Sequence, residues 1–512
     1  MIERQTMNSI IYSGHIKGIE GIPVEVEIDL LRRLPAISIV GLAGSAVRES
    51  ADRVRSAIQY AGYDFPRKRV VINLAPADLP KKGSALDLPI AIGILCAAGH
   101  LSKINIDQCI FVGELSLLGK LRPIRGALSI AIMAAQHQKK FLILPKENAA
   151  EAACIEGVQT IPAEDIQDVI LWLKTGQKPH QAKHDIQTTH NTSTDLSQIK
   201  GQSTAKRALE IAAAGGHNIL MIGPPGCGKT LLASSLPALL PSLTFQESID
   251  ITQIHSAAGL HRSGGLLTSR PFRAPHHSMS TAAMIGSARL QPGEAALAHH
   301  GVLFLDEFPE YRRDVLESLR GPLESKKIFL SKAAGQVEFP ASFMLVATAN
   351  PCPCGYATHP YLACGCSPKT IARYQEKLSG PLLDRIDIQL NLHPVTAEEM
   401  LNEASLEQTK TVQERVTRAR MRQIHRSRTN QTCQSQGKSN LRISDCALET
   451  EAHAILESLV TTHHLSARGL TRILKVARSV ADIEDCEQVS QKHLLEAVYY
   501  RVQTTSERIC VG

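Results

Sequence analysis

One stretch of eight residues, GPPGCGKT at positions 223–230, constrains the fold of this 512-residue chain more than any other. It joins the apolar run ILMI to the apolar helix start LLA, and a phosphate-binding loop requires this order of strand, loop and helix. Backbone amides of such a loop approach phosphate closely, while its lysine contacts the β and γ phosphates and its threonine binds Mg²⁺. We therefore expect an α/β nucleotide-binding core. The expected nucleotide-contacting residues are Gly223, Pro224, Pro225, Gly226, Cys227, Gly228, Lys229 and Thr230.

A pair of adjacent acids follows a second buried strand, in the segment GVLFLDEF. We expect Asp306 to bind Mg²⁺ together with Thr230, and Glu307 to orient and deprotonate the attacking water. A surface turn after a core strand would not explain two acids directly after VLFL. A third apolar run, LVATAN, ends at Asn350, whose amide can contact the γ-phosphate or its water. These motifs, in this order, predict hydrolysis of ATP with Mg²⁺.

The amino-acid composition fits a cytoplasmic protein of about three domains, on a prior of roughly 150 residues for each. Apolar residues make up 43% of the chain, yet no stretch approaches the roughly 20 apolar residues that a membrane span needs. The first residues, MIERQTMNSII, lack the apolar core of a signal peptide. A net charge of +7 permits nucleic acid as a partner without requiring it. We expect no membrane partner and cysteines that are reduced thiols or metal ligands.

Shifts in composition divide the chain into five segments. The first alternates strand and helix patterns, the second is nearly free of apolar residues, and the third holds the nucleotide motifs. A basic helix with a polar stretch then precedes a C-terminal region of helical periodicity. The expected boundaries are 1–173, 174–194, 195–397, 398–440 and 441–512.

Four cysteines, Cys352, Cys354, Cys364 and Cys366, follow Asn350 as two C-x-C pairs. Two such pairs can converge around one Zn²⁺, because closed structural zinc sites favour four thiolates. Free thiols or a redox pair are the alternatives. A bound metal would stiffen the segment directly after Asn350.

The segment KKIFLSKAAGQVEFPASF contains two strand-like runs around SKAAG. This pattern predicts a β-hairpin with Lys332 near its tip. A lysine there can bind a nucleic-acid phosphate, and a solvent-exposed turn is the alternative.

Residues 410–428 carry seven lysines and arginines and the single acid Glu414. Their helical spacing places several cations on one face, and we expect Arg418 and Arg422 to contact DNA. Clustered cations bind nucleic-acid backbones because this contact releases counterions from the phosphates. A solvated basic helix is the alternative.

Two histidine pairs, His276 with His277 and His299 with His300, could suggest a metal site. They lack acids or thiols at the spacing that metal ligands show along a chain. We expect them to serve packing or contact between subunits.

The nucleotide motifs, together with RPFRAPHHSMS and PGEAALAHHGVLFLDE, resemble the magnesium-chelatase-like branch of the AAA+ ATPases, which includes the ComM/YifB family. By this resemblance, Asn350 corresponds to sensor 1 and Arg385, in GPLLDRIDI, to the arginine finger. Arg468, in SARGLTRIL, corresponds to the sensor 2 arginine, with Arg472 as a rival. The family implies that Arg385 acts on ATP bound by a neighbouring subunit, and therefore a ring, expected to be a homo-hexamer.

The segment KKGSALDLP resembles the serine loop of the Lon protease domain. Ser84 falls at the position of the nucleophile, but residues 127–129, where the family has its lysine base, read Ala-Leu-Ser and cannot accept a proton. Lys81, Lys82 or Lys120 would have to substitute as an oriented amine. We therefore expect no protease activity.

The family resemblance covers almost the whole chain. It implies an N-terminal ribosomal protein S5 domain 2-like (Lon-like) α+β domain, a central AAA+ P-loop α/β core and a C-terminal helical lid. It also implies a hexameric motor that binds single-stranded and branched DNA and drives branch migration in homologous recombination during natural transformation, with recombination proteins as further partners. The alternatives are a magnesium-chelatase-type or MoxR-type protein-remodelling ATPase and, after them, an ATP-dependent serine protease.

Overall fold

The computed structural model describes most of the chain. The described residues are 8–41, 44, 47, 49–77, 81, 83–102, 106–177, 195–261, 264–332, 335–377, 380–396, 399, 408–429, 446–463 and 467–507. Most of the expected linker, Lys82, and the polar stretch that was expected after the basic helix therefore lie outside the described residues. Among the described helices, none combines the length and the apolar character needed to cross a membrane.

The N-terminal part is a mixture of sheets and helices. Its described strands are β1 (Asn8–Lys17), β2 (Glu20–Leu31), β3 (Ala36–Val40), β4 (Arg69–Ala75), β5 (Cys109–Phe111), β6 (Glu114–Leu115), β7 (Leu121–Arg122), β8 (Phe141–Pro145) and β9 (Gln159–Ala163). Its described helices are α1 (Ser50–Tyr60), α2 (Asp87–Ala97), α3 (Ala127–Gln136), α4 (Ala149–Ala152) and α5 (Ile166–Thr175). One sheet has the order β1-β2-β4-β3, and β5, β8 and β9 form a separate parallel sheet.

Strand β2 follows directly from the alternation of its residues. Val24, Val26, Ile28 and Leu30 are buried, while the residues between them are exposed or half-buried. Successive side chains of a strand point to opposite faces, so one face enters the core. This alternation forms a half-buried strand that extends to Leu31.

Helix α2 is buried along its whole length, because the run LPIAIGILCA offers no polar face to water. It lies against β1, β2 and α1. The acid at its start, Asp87, is held by Arg53, whose Nε lies 2.8 Å from its Oδ2. Burial raises the pKa of Asp87 to about 6, against the opposing effect of Arg53. This helix positions Ser84 just before its first turn.

The central part contains a five-stranded parallel sheet of order β11-β12-β15-β10-β16. Its strands are β10 (Ile219–Ile222), β11 (Phe272–Arg273), β12 (Val302–Leu305), β15 (Met344–Ala349) and β16 (Ile388–Asn391), and β13 (Lys327–Lys332) pairs with β14 (Gly335–Pro340) as a separate hairpin. The described helices here are α6 (Ser203–Gly215), α7 (Lys229–Leu239), α8 (Phe245–Ala258), α9 (Thr281–Ile285), α10 (Glu294–Leu297), α11 (Arg313–Ser318), α12 (Arg320–Ser325), α13 (Pro368–Glu376) and α14 (Gly380–Leu383). Parallel strands present their carboxyl ends at one edge, where ligands bind in such sheets.

The described C-terminal elements are helices. They are α15 (Thr409–Thr429), α16 (Thr450–His463), α17 (Ala467–Ile483) and α18 (Gln491–Glu507). Val412, Val416 and Ala419 lie on one face of α15 and belong to the same buried cluster as the apolar residues of α6 and α17. Spacings of four and three residues produce such a face. Overall, the chain is a mixed α/β protein with parallel sheets.

Candidate active site

The phosphate-binding loop connects β10 to α7, as the sequence predicts. Gly226 and Gly228 have φ angles of +80° and +87°, in the left-handed region that favours glycine. A Cβ built at either position would meet no atom of the described residues within 4 Å, so the loop borders open space there. The loop therefore fits a phosphate group approached by backbone amides.

Lys229, the first residue of α7, reaches back across this loop. Its Nζ donates hydrogen bonds to the carbonyl oxygens of Gly223 at 2.7 Å and Pro224 at 2.9 Å, and to Oδ1 of Asn350 at 3.1 Å. Burial lowers the pKa of this ammonium group, while the Asp306 carboxylate opposes the shift. The fold thus brings the loop lysine and the asparagine at the end of β15 together.

Asp306 and Thr230 also meet at the ends of neighbouring elements. The Thr230 hydroxyl donates to Oδ2 of Asp306 at 3.3 Å. The other carboxylate oxygen accepts hydrogen bonds from the Thr348 hydroxyl and, at 3.1 Å, from the backbone N–H of Glu307. A hydroxyl and a carboxylate side by side are oxygen ligands of the kind that Mg²⁺ prefers. Thr348 orients this acid, and the sequence analysis missed it because nothing in the chain pattern marks it.

Glu307 has a left-handed backbone with a φ angle of +52°, which is rare for a residue other than glycine. Such strain concentrates at functional sites, where the surrounding structure holds it. The Glu307 side chain is 53% exposed, and its Oε2 lies 3.6 Å from Nδ1 of His277. His277 therefore lies beside the candidate catalytic acid. The sequence analysis did not place it there, because it is thirty residues away along the chain.

The three arginines suggested by the family pattern lie in different surroundings. Arg385 forms an ion pair with Glu324, and its side chain is 9% exposed. Arg468 is exposed at the start of α17. One turn later, Nε of Arg472 lies 3.6 Å from Oδ1 of Asp387.

The four cysteines converge as predicted. The Sγ atom of Cys352 lies 3.3 Å from that of Cys354 and 3.7 Å from that of Cys364, and the last two are 3.5 Å apart. Cys366 completes a group whose ligand atoms all lie within 4.8 Å of one another. Zn–S bonds of about 2.3 Å in a tetrahedron require sulfur separations of about 3.8 Å. The donor set and its spacing therefore fit Zn²⁺.

This cysteine cluster packs directly on the phosphate-binding loop. A Cβ built at Gly355, whose φ is +85°, would lie 2.7 Å from Cδ of Pro225. Only a glycine allows this approach, because a real Cβ would clash with the proline ring. The cluster and the loop are therefore in contact.

Three family models match the chain in succession. The model described as "Subunit ChlI of Mg-chelatase" matches residues 26–148, and the one described as "Magnesium chelatase, subunit ChlI" matches residues 195–400. The model described as "Magnesium chelatase, subunit ChlI C-terminal" matches residues 406–501. The matches include the loop, both acids and the cysteine cluster.

Two relatives match nearly the whole chain. The uncharacterized protein YifB of Escherichia coli (strain K12) is 41% identical over 502 residues, covering 96% of this chain and 97% of its own. Competence protein ComM of Haemophilus influenzae is 41% identical over 506 residues, with the same coverage of 96% and 97%. The chain belongs to the ComM/YifB family. This magnesium-chelatase-like AAA+ family suggests an ATPase that uses ATP and Mg²⁺ and forms an oligomer.

This ComM/YifB-family chain also shows a weaker likeness to Lon protease. Lon protease 2 of Bacillus subtilis is 27% identical over 163 residues, covering 29% of each chain. The Ser84 hydroxyl donates a hydrogen bond to the carboxylate of Glu114. Lys81 is completely buried, and its Nζ donates to the carbonyl oxygens of Pro76 and, at 3.0 Å, Leu74. A serine facing a carboxylate and a lysine that donates to carbonyls do not form a serine–lysine pair.

Three of the seven cations of helix α15 form ion pairs with acids of the same chain. These pairs are Arg415–Glu210 at 2.5 Å, Arg426–Asp482 at 2.5 Å and Arg422–Asp485. Arg422 is therefore paired with an acid of its own chain at the surface, and its contact with DNA stays a prediction. Arg418 is exposed and makes no ion pair with any described residue.

The predicted hairpin is present, paired from Lys327 opposite Pro340 to Lys332 opposite Gly335. Lys327 is neutralised by Glu338, whose Oε1 lies 2.5 Å from its Nζ. Lys332 is exposed, and within the described part of the chain it has no acidic partner. The two lysines of one strand thus differ in whether their charge is compensated.

The histidine pair His299 and His300 lies beside Asp250, an acid about fifty residues away in the sequence. Asp250 of α8, His299 and His300 have ligand atoms within 4.8 Å of one another. Nδ1 of His299 accepts a hydrogen bond from the backbone N–H of Ser342 at 2.9 Å, so the neutral ring carries its proton on Nε2. Burial lowers the pKa of His299 to about 3. Neither nitrogen of this ring is left to bind a metal, and packing is the role that the geometry supports.

Proposed function

We propose that this ComM/YifB-family protein is a hexameric motor that uses ATP hydrolysis to drive branch migration of DNA in homologous recombination during natural transformation. One observation carries the ATPase part of the proposal: Lys229 with Asn350, and Thr230 with Asp306, pair at the carboxyl ends of β10, β12 and β15. The name of the competence relative supports the biological setting. Single-stranded and branched DNA are the proposed substrates.

The proposal assigns a role to each part of the chain. Residues 1–173 would keep a Lon-like, ribosomal protein S5 domain 2-like fold without protease activity. Residues 195–397 would form the AAA+ core, and residues 441–512 its helical lid. The cysteine cluster would hold structural Zn²⁺ and keep the loop and Asn350 in fixed relation, since it packs on Pro225.

In the proposed reaction, the amides of the loop and the ammonium of Lys229 bind the β and γ phosphates. Thr230 and Asp306 would hold Mg²⁺, which when bound polarises the phosphoryl oxygens. Glu307 removes a proton from the attacking water, and Asn350 positions that water.

A neighbouring subunit would supply Arg385 to the γ-phosphate. Its side chain would have to leave Glu324 to do so. In the same proposal, the helical lid supplies either Arg468 or Arg472 to the bound nucleotide. We favour Arg468, because its side chain is exposed and can therefore move towards the nucleotide.

The hairpin provides the first test of DNA as substrate. Lys332→Ala is expected to weaken binding of single-stranded DNA by about threefold to tenfold, because an uncompensated lysine is lost from a phosphate contact. Lys327→Ala, on the same strand, is the matched control and is expected to bind as the wild type, since Glu338 already neutralises Lys327. Fluorescence anisotropy with a labelled oligonucleotide measures both dissociation constants. Equal losses in the two variants, or no loss in either, would contradict the proposed role of Lys332.

A further inference from the structure

The turn between β1 and β2 docks on the central part of the chain. The carbonyl oxygen of Ile19 accepts hydrogen bonds from the Ser129 hydroxyl at 2.6 Å and from Nε2 of Gln253 at 2.8 Å. Close by, the backbone N–H of Gly126 donates to the carbonyl oxygen of Ser256 at 3.1 Å. The turn is therefore fastened both to its own domain and to α8.

Gly18, the residue before Ile19, allows the turn to pack closely against the hairpin. Gly18 has a φ angle of +67°, and a Cβ built there would lie 2.2 Å from Cγ1 of Val337 on β14. Both the backbone conformation and the close approach exclude a larger residue. The contact brings the N-terminal domain onto the strand that pairs with Lys332.

Lys17 is the last residue of β1, and it lies at the turn end of the hairpin, beside Gly335. A Cβ built at Gly335 would have Cε of Lys17 at 3.6 Å, Cδ1 of Leu290 at 3.9 Å and Nζ of Lys17 at 4.0 Å. Gly335 is the register partner of Lys332, and the exposed Arg289 precedes Leu290. Lys17 and Lys332 therefore lie at the same end of the hairpin, and Arg289 adjoins Leu290, whose side chain reaches that end.

Within the described part of the chain, no ion pair compensates the charge of Lys17, Arg289 or Lys332. Glu20 stands opposite Lys17 in the strand register, but no ion pair joins them. Cations without acidic partners raise the positive electrostatic potential at this end of the hairpin. A polyanion that binds there lowers that potential.

We infer that Lys17, Arg289 and Lys332 form one phosphate-binding surface for the backbone of a nucleic acid, so that the N-terminal domain contacts the substrate directly. The inference rests on the proposed function, and it adds which residues of the protein contact the DNA backbone. Phe329 of the same hairpin is 67% exposed on the face opposite to Lys332, so a strand that wraps the hairpin could stack a base on this ring. That combination favours a nucleic acid over an acidic polypeptide.

The test measures binding of the full-length protein to a fluorescein-labelled oligothymidylate by anisotropy across a salt series. Lys17→Ala is expected to weaken binding by about threefold to tenfold and to reduce the slope of log K against log salt by about 0.7, the value for one phosphate contact on a single strand. Lys17→Arg keeps the charge and is expected to restore both quantities. Lys120→Ala, an exposed lysine elsewhere in the same domain, is the matched control and should bind as the wild type.

The outcomes separate a failure of this inference alone from a failure of the proposed function. If the wild type binds DNA and Lys17→Ala matches the Lys120→Ala control, this inference is overturned while the DNA proposal stands. If the wild type binds no DNA at all, both are overturned. If polyglutamate competes as well as DNA does, the surface recognises acidic protein and the inference is wrong. Thermal unfolding of each variant checks that it folds, and Arg289→Ala should repeat the loss if the surface is shared.

Discussion

Replacing Glu307 with glutamine is expected to slow ATP hydrolysis by about 10²- to 10⁴-fold, the usual contribution of a general base. Glutamine keeps the size of the side chain but cannot take a proton from water. The side chain of Glu307 is 53% exposed, so glutamine fits in its place. The variant should keep the hydrogen bond from the backbone N–H of residue 307 to Asp306, because the substitution changes only the side chain. Phosphate release at saturating ATP measures the loss, and a fluorescent ATP analogue should still bind.

Glu310→Gln is the matched control for this variant. Glu310 lies three residues further on, is exposed, and pairs with Lys377 at 3.6 Å. Exposed ion pairs contribute little, so this variant should hydrolyse ATP at nearly the wild-type rate. Hydrolysis by Glu307→Gln at the rate of the control would show that another group acts as the base.

Replacing Cys352 with serine is expected to remove zinc from the protein and to lower the unfolding temperature by about 6–12 °C, if the lost metal is worth roughly 3 kcal/mol to a domain of about 200 residues. Cys352 is completely buried and lies two residues after Asn350. Losing the metal should also weaken ATP binding, since the cluster packs on Pro225. Elemental analysis gives the zinc content and calorimetry gives the unfolding temperature.

Cys154→Ser controls for the loss of a thiol as such. Cys154 is half-buried, lies outside the cluster, and its Sγ donates to the carbonyl oxygen of Ala150 at 3.3 Å. We expect this variant to keep both its zinc and its stability. A wild-type protein purified without zinc, and unaffected by Cys352→Ser, would favour the alternatives of free thiols or a redox pair.

The parts of the site that the sequence predicted are those with a local physical cause. A glycine-rich loop between a strand and a helix has few conformations, so Lys229 and Thr230 could be placed from residues next to them. Asp306 and Asn350 each end a buried strand, and parallel strands bring such ends together. The hairpin and the cysteine cluster likewise follow from short-range spacing.

The parts that were missed depend on contacts between distant segments. Helical spacing in α15 indicates a basic face, but it cannot reveal that Glu210 and Asp485 lie opposite Arg415 and Arg422. Thr348 gives no signal in the chain pattern, although it orients Asp306. Lys17 is an ordinary surface lysine until the turn at Gly18 brings it beside the hairpin. Such partners are set by tertiary packing.

The most direct test of the central claim is a branch-migration assay with a labelled four-way DNA junction, run alongside ATP hydrolysis. The account predicts that DNA stimulates hydrolysis and that the wild type converts the junction to branch-migrated products only with ATP. Lys229→Ala should form no product, because the proposed reaction needs its ammonium group to bind the β and γ phosphates. Hydrolysis that is indifferent to every form of DNA, with no junction products, would contradict the DNA-motor account and favour a protein-remodelling or chelatase role.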